Sequence, residues 1–275
     1  MCTLDGCGSH ADMPPIFVSA TDRRAFLAGL GALPLAAVLA DPVLAQAAAA
    51  KVTPVSITTV MGKPAKGFIA KPAQLPAPAI VLIHEWWGLN DQIKAVAADL
   101  ADKGYIAIAI DLFGKDEPAT TADEAKAQMA ALNTEDATDA VSSWVYYARD
   151  LQDATDKVGT VGWCFGGAWS LNASIAAPVD ATVIYYGNVT RTVSQLENLK
   201  GPVLGHFGTL DQSINKEMVE GFEKNMAAAG KADSLTVYWY DADHAFANPT
   251  GSRYDAADAA TAWQRTLDFY TANLT

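Results

Sequence analysis

The feature that most restricts the fold is a rhythm of short apolar runs alternating with helical stretches. Residues 78–83 (Pro-Ala-Ile-Val-Leu-Ile) and 105–110 (Tyr-Ile-Ala-Ile-Ala-Ile) carry no polar side chain except the Tyr105 hydroxyl. A strand with one wet face alternates polar and apolar residues, so runs like these belong to strands buried on both faces. Between them, residues 91–103 place Ile93, Val96 and Leu100 at helical spacing and stop at Gly104. The pattern continues with Ala-rich helices over 122–132 and 135–151, a strand over 158–163 and a helix over 166–176. It then runs through strands over 182–186, 203–207 and 235–240, a short helix before Lys200, and helices over 214–229 and 255–273. Two β segments near 52–60 and 66–71 precede it. Strand–helix alternation of this kind predicts an α/β fold, with a mostly parallel sheet covered by helices on both faces.

The first 47 residues read differently. Arg23-Arg24 opens a small-residue apolar run from Ala25 to Ala40, and Ala45-Gln46-Ala47 has the form of a cleavage site. That layout resembles a twin-arginine (Tat) export signal, with Arg23-Arg24 followed by Phe26-Leu27. It implies the Tat machinery as a partner of the precursor, cleavage after Ala47, a periplasmic or exported address, and one mature domain over 48–275. The run is short for a membrane span, so no stable insertion is expected once the signal is gone. Cys2 and Cys7 leave with it, so Cys164 is the sole mature thiol. Three cysteines cannot build a disulfide framework, and no Cys/His spacing suggests zinc. The chain has 19 basic and 31 acidic residues, net −12, which argues against nucleic acid as a partner.

The sharpest local motif is Gly162-Trp163-Cys164-Phe165-Gly166-Gly167, between a predicted strand and a predicted helix. G-x-nucleophile-x-G is the form of a nucleophile elbow, a tight strand-to-helix turn that lifts the reactive atom off the sheet. The helix N-terminus behind it favours a thiolate and an oxyanion. A nucleophile needs a base, and the base needs an orienting acid, each at a later strand end. Of the two downstream histidines, His206 lies inside a strand and suits a core role. His244 follows the strand ending at Tyr240 and is the expected base. Asp211, after the strand ending at Phe207, is the expected acid; Asp241 and Asp243 are rivals that more naturally cap a turn. Glu85 and Trp86 follow the first buried strand. There the Trp86 N–H would join that of Phe165 in an oxyanion hole, and Glu85 would either enter the site or cap the helix near Asp91.

Taken together, His84-Glu-Trp-Trp-Gly-Leu-Asn90, Asp111-Leu-Phe113, the Cys164 elbow, Tyr185-Tyr186-Gly187, Gly208-Thr-Leu-Asp211 and Asp243-His244-Ala-Phe246 resemble the dienelactone hydrolase (carboxymethylenebutenolidase) family over about residues 52–273. The resemblance implies an α/β-hydrolase fold and hydrolysis of a lactone or small ester through a thioester, without metal or cofactor. Cys164 would be the nucleophile, His244 the base and Asp211 its orienter. Glu85 would hold the resting thiol by a hydrogen bond and take its proton when substrate enters. The family's lactone-acid hydrolase grips its substrate carboxylate with two arginines. This chain has Asn248 at one of those positions and no arginine over 114–140, where only Lys115 and Lys126 could substitute. That favours a neutral substrate, with Trp86, Trp87 and Phe113 as candidate pocket walls and Asn248 as a candidate contact. Two other readings stand beside this one: a general carboxylesterase for neutral esters, and a silent α/β-hydrolase fold used for binding.

Overall fold

The computed structural model describes residues 34–115 and 117–275. The Arg23-Arg24 motif, Cys2 and Cys7 lie outside the described residues. Eight strands form one sheet in the order β1-β2-β4-β3-β5-β6-β7-β8. They are β1 (Thr53–Thr58), β2 (Pro64–Ala70), β3 (Ala77–Ile83), β4 (Ile106–Asp111), β5 (Ala154–Trp163), β6 (Ala181–Tyr185), β7 (Val203–Gly208) and β8 (Leu235–Tyr240). β1 pairs antiparallel with β2, and β2 with β4; the pairings from β4 through β3 to β8 are all parallel. The expected α/β-hydrolase architecture is therefore present.

Helices cover both faces for a reason visible in β3. Ile80 and Leu82 point into one core layer, while Ala79, Val81 and Ile83 point into the other. Side chains alternate along a strand, so two dry faces demand an unbroken apolar run. The first layer is closed by α3 (Asp91–Asp102) and α9 (Ala256–Leu274). The second is closed by α5 (Thr134–Asp150), α6 (Phe165–Ala176) and, toward β7, α8 (Lys216–Ala228). The short α4 (Ala122–Ala131) and α7 (Val193–Leu196) begin with Thr capping boxes at Thr121 and Thr192. Asn90 caps α3 by accepting the Ile93 N–H, so Glu85 is not its cap.

Before β1 the chain forms α1 (Leu35–Ala40) and α2 (Pro42–Ala49). Asp41 separates them and caps α2, accepting N–H bonds from Val43 and Leu44, and Pro42 occupies the first helical position, where its missing donor is harmless. Val38, Leu39, Ala45, Ala48 and Ala49 are buried, and Gln92 of α3 donates to the Leu39 carbonyl at 3.0 Å. The stretch expected to end the leader is thus helical and packed on the first layer. Among the described residues no helix is long and apolar enough to cross a membrane.

Candidate active site

The parallel strands deliver their chemistry at one edge, where each carboxyl end opens into a loop. After β5 the backbone turns at Cys164 with φ 54° and ψ −116°, a conformation that costs a non-glycine residue about 1–3 kcal/mol. Two glycines make the turn possible. A Cβ on Gly162 would lie 1.9 Å from the Gly166 carbonyl oxygen, and one on Gly166 would lie 2.2 Å from that of Ile83. The Cys164 N–H is tied to the Tyr185 carbonyl at 3.0 Å, which fixes the elbow against β6.

The structure brings Cys164, His244 and Asp211 into one hydrogen-bonded chain. His244 Nε2 lies 3.2 Å from Cys164 Sγ, and His244 Nδ1 lies 2.7 Å from Asp211 Oδ2. Asp211 is held in turn by N–H bonds from Ser213 and Ile214 to its other oxygen. The rival acids are engaged elsewhere: Asp243 accepts the His244 backbone N–H and Asp241 accepts the Thr209 hydroxyl. Burial works against charge on His244, but its bonds to Asp211 and Cys164 prevail and raise its pKa to about 10. Burial likewise opposes the Asp211 charge, yet the His244 and backbone bonds hold its carboxyl below the usual range. His206 is a core residue, fully buried between the Tyr240 and Thr266 hydroxyls.

Glu85 does not hold the thiol. Its Oε2 accepts from Asn248 Nδ2 at 2.7 Å and its Oε1 from the Tyr186 hydroxyl at 3.5 Å. An amide N–H is a better donor than a thiol, and an imidazole at 3.2 Å already engages the sulfur. Burial raises the Glu85 pKa, with the Asn248 bond as the main opposing influence. Asn248, expected to meet substrate, is thus engaged with Glu85. Tyr186 follows β6 with φ 37° and packs its ring 5.3 Å from that of His244. The Tyr185-Tyr186-Gly187 motif marks its place at a strand end, but only the fold shows its contacts with Glu85 and His244.

His84 is a second residue whose role emerges only in the fold. Fully buried, with its pKa lowered to about 4 by that burial, it donates from Nδ1 to the Glu85 carbonyl at 2.6 Å. It accepts the Leu112 N–H at Nε2, so it is neutral and its 4.0 Å approach to Asp111 is not an ion pair. His84 thereby fixes the loop carrying Trp86. Among the described residues, neither the Trp86 nor the Phe165 backbone N–H reaches a protein acceptor, which leaves both free for an oxyanion. Phe113 packs against the rings of His84 and Phe165, each at 4.9 Å, and Trp87 against Trp86. The cavity beside Glu85 takes its walls from α1, α3, α9, the loop over 247–254 and the ends of β5 and β6; of the aromatic residues expected near the substrate, Phe113 lines a separate cleft after β4.

Comparison with known proteins gives one answer. The pattern of the Dienelactone hydrolase family matches residues 65–274. Carboxymethylenebutenolidase from Pseudomonas putida is 32% identical over 229 residues, covering 78% of this chain and 94% of that protein. A probable 2-oxo-3-(5-oxofuran-2-ylidene)propanoate lactonase from Bradyrhizobium sp is 29% identical, over 69% of this chain and 82% of its own length. Among solved structures, a putative dienelactone hydrolase from Klebsiella pneumoniae superposes with a TM-score of 0.70 at 22% identity, covering 80% of this chain and 98% of that one.

Proposed function

We propose, from the premise that this chain belongs to the dienelactone hydrolase family and is a hydrolase of ester or lactone bonds, that Cys164 is its nucleophile and that the reaction passes through a thioester. The observation that carries this reading is the unbroken chain from Cys164 Sγ through His244 to Asp211 at the tip of the elbow. With the proton on His244, the sulfur attacks the carbonyl carbon as a thiolate. The carbonyl oxygen becomes an oxyanion held by the Trp86 and Phe165 N–H groups. As the tetrahedral centre collapses, the C–O bond breaks and His244 gives its proton to the departing alkoxide. Water then attacks the thioester. His244 takes a proton from that water, the C–S bond breaks, and the acid leaves with the sulfur–imidazolium pair restored.

The substrate in this reading is neutral, as for a general carboxylesterase. Asn248 spends its amide on Glu85, and Lys126 is exposed and faces Asp123. At Asn248 a substrate carboxylate would meet an amide already bonded to Glu85, and the charge of Arg253 is felt by Glu85 itself, so a buried carboxylate there would compete with Glu85 for its compensation. The test is a panel of p-nitrophenyl acetate with neutral and carboxylate-bearing lactones, run on the wild type and on Cys164→Ala. Hydrolysis of the neutral members should fall by about 10⁴ to 10⁶ in kcat with the fold intact. A variant keeping a tenth of the activity would remove Cys164 from the mechanism, and no wild-type hydrolysis at all would favour a binding role.

The same reading takes residues 1–47 as a Tat leader cut after Ala47, the Tat machinery as the precursor's partner, residues 48–275 as the mature domain, and a periplasmic or exported address. It is supported by Arg23-Arg24, by Ala45-Gln46-Ala47, and by a family match that begins only at residue 65.

A further inference from the structure

The Trp86 N–H and the Glu85 carbonyl belong to one peptide group, and that carbonyl is doubly held. It accepts the His84 Nδ1–H at 2.6 Å and the Gly88 N–H at 3.2 Å. The next two carbonyls also have donors: the Gln128 side-chain amide of α4 bonds that of Trp86, and the Ala119 N–H bonds that of Trp87 at 2.7 Å. The backbone of the loop is thus pinned at three successive oxygens. The Glu85–Trp86 peptide is trans and planar, so its N–H points opposite to its C=O. Fixing the carbonyl therefore aims the N–H, and a donor on the carbonyl strengthens that N–H as a donor in turn.

His84 can act this way in only one tautomer. The Leu112 N–H donates to Nε2 at 3.1 Å, so the ring proton sits on Nδ1. The same ring stacks on Phe165, which carries the second oxyanion N–H, with centroids 6.0 Å apart and planes 13° from parallel. A Cβ on Gly166 would lie 2.4 Å from the His84 carbonyl oxygen, so the elbow is pressed against this strand end. Cys164, Phe165 and Trp86 are each partly exposed, whereas His84 is fully buried behind them. We propose that His84 is a positioning residue for the hydrolysis: its Nδ1–H, locked in place by the Leu112 N–H, orients and polarises the peptide that offers the Trp86 N–H to the oxyanion. Its part in catalysis rests on the hydrolase reading above; its effect on the peptide does not.

Two replacements on the full chain separate the two bonds of the ring. In His84→Asn the amide nitrogen stands in for Nδ1 and keeps the donor on Glu85, but the Leu112 N–H loses its acceptor. In His84→Gln the amide oxygen stands in for Nε2 and keeps that acceptor, but the Glu85 carbonyl loses its ring donor. Each change strands one buried group, so a merely structural role would harm both alike. For p-nitrophenyl acetate, kcat should fall about tenfold in His84→Gln with KM within about twofold, and stay within about threefold of wild type in His84→Asn; losing an oxyanion donor outright costs about 10²–10³. Equal losses, or a loss confined to His84→Asn, would overturn the proposal. The Trp86 amide 15N resonance gives a reading independent of turnover: it should move upfield in His84→Gln and hold its place in His84→Asn, and an unmoved resonance in His84→Gln would overturn it. Should His84→Gln not fold, 15N spectra of histidine-labelled wild type decide, since a ring protonated at Nε2 instead of Nδ1 would also overturn it. Failure of the hydrolase reading shows separately, as acetate hydrolysis that survives in Cys164→Ala while the Trp86 resonance behaves as expected.

Discussion

His244 and Asp211 perturb each other in opposite directions, and the signs have a measurable consequence. The folded pKa of His244 stands at about 10, above its ordinary value near 6.5. Its contribution to stability is therefore complete below about pH 6.5 and is lost as pH rises toward about 10. Asp211 is depressed, so its contribution is present above its ordinary value near 3.8 and is lost as pH falls through the lower folded value. We expect His244→Ala to lower the thermal midpoint most between about pH 5 and 6.5, with the deficit shrinking steadily as pH rises toward about 10. Thermal melts of both proteins across that range check it; a deficit that widens with pH would contradict the assigned proton position.

At the level of elements, the elbow joins β5 to α6 so tightly that its glycines are steric necessities. In Gly166→Ala the new Cβ would sit 2.2 Å from the Ile83 carbonyl oxygen and 2.4 Å from that of His84, both backbone atoms that cannot swing away. Overpacking of this kind costs about 1–3 kcal/mol or more. At about 2–4 °C per kcal/mol for a chain of this size, calorimetry should show a drop of at least about 2 °C. Gly221→Ala in α8, where a Cβ meets nothing within 4 Å, is the control and should be neutral or slightly stabilising. Elements like these were legible because their signals are local. β3 announces itself by six apolar residues in a row, and the elbow by glycines at fixed offsets from one cysteine. The chain order of Cys164, Asp211 and His244 followed from which strand each one ends. What could not be read was contact between distant loops. Glu85 and Asn248 are 163 residues apart, and nothing local to either shows that the amide would engage the carboxylate instead of the thiol doing so. Phe113 and Trp87 are aromatic near the site, but their neighbours, not their type, decide where they face: Trp87 packs on Trp86, and Phe113 lines a cleft apart from the cavity beside Glu85.

On the scale of the whole chain, the leader reading makes a prediction about both ends of the export step. Protein recovered from the periplasm should begin at Ala48, and changing Arg23 and Arg24 together to Lys should leave the precursor in the cytoplasm. N-terminal sequencing and fractionation decide this; exported protein that still carries residues 1–47 would contradict it. The proposed cut falls inside α2, next to Ala45 and Ala48, which are both buried. The segment must therefore come off its seat on α3 before a peptidase can reach the bond.

Helix α1 then acquires a meaning beyond addressing. Pro34, Leu35, Ala36 and Leu39 form one side of the cavity between α3 and α9, and all four would depart with the leader. A half-open cavity would widen into a trough, with Ile93, Val96 and Trp263 along its walls. Precursor and secreted form would give Glu85 different surroundings, so a measurement on the uncut chain would describe a molecule other than the secreted one.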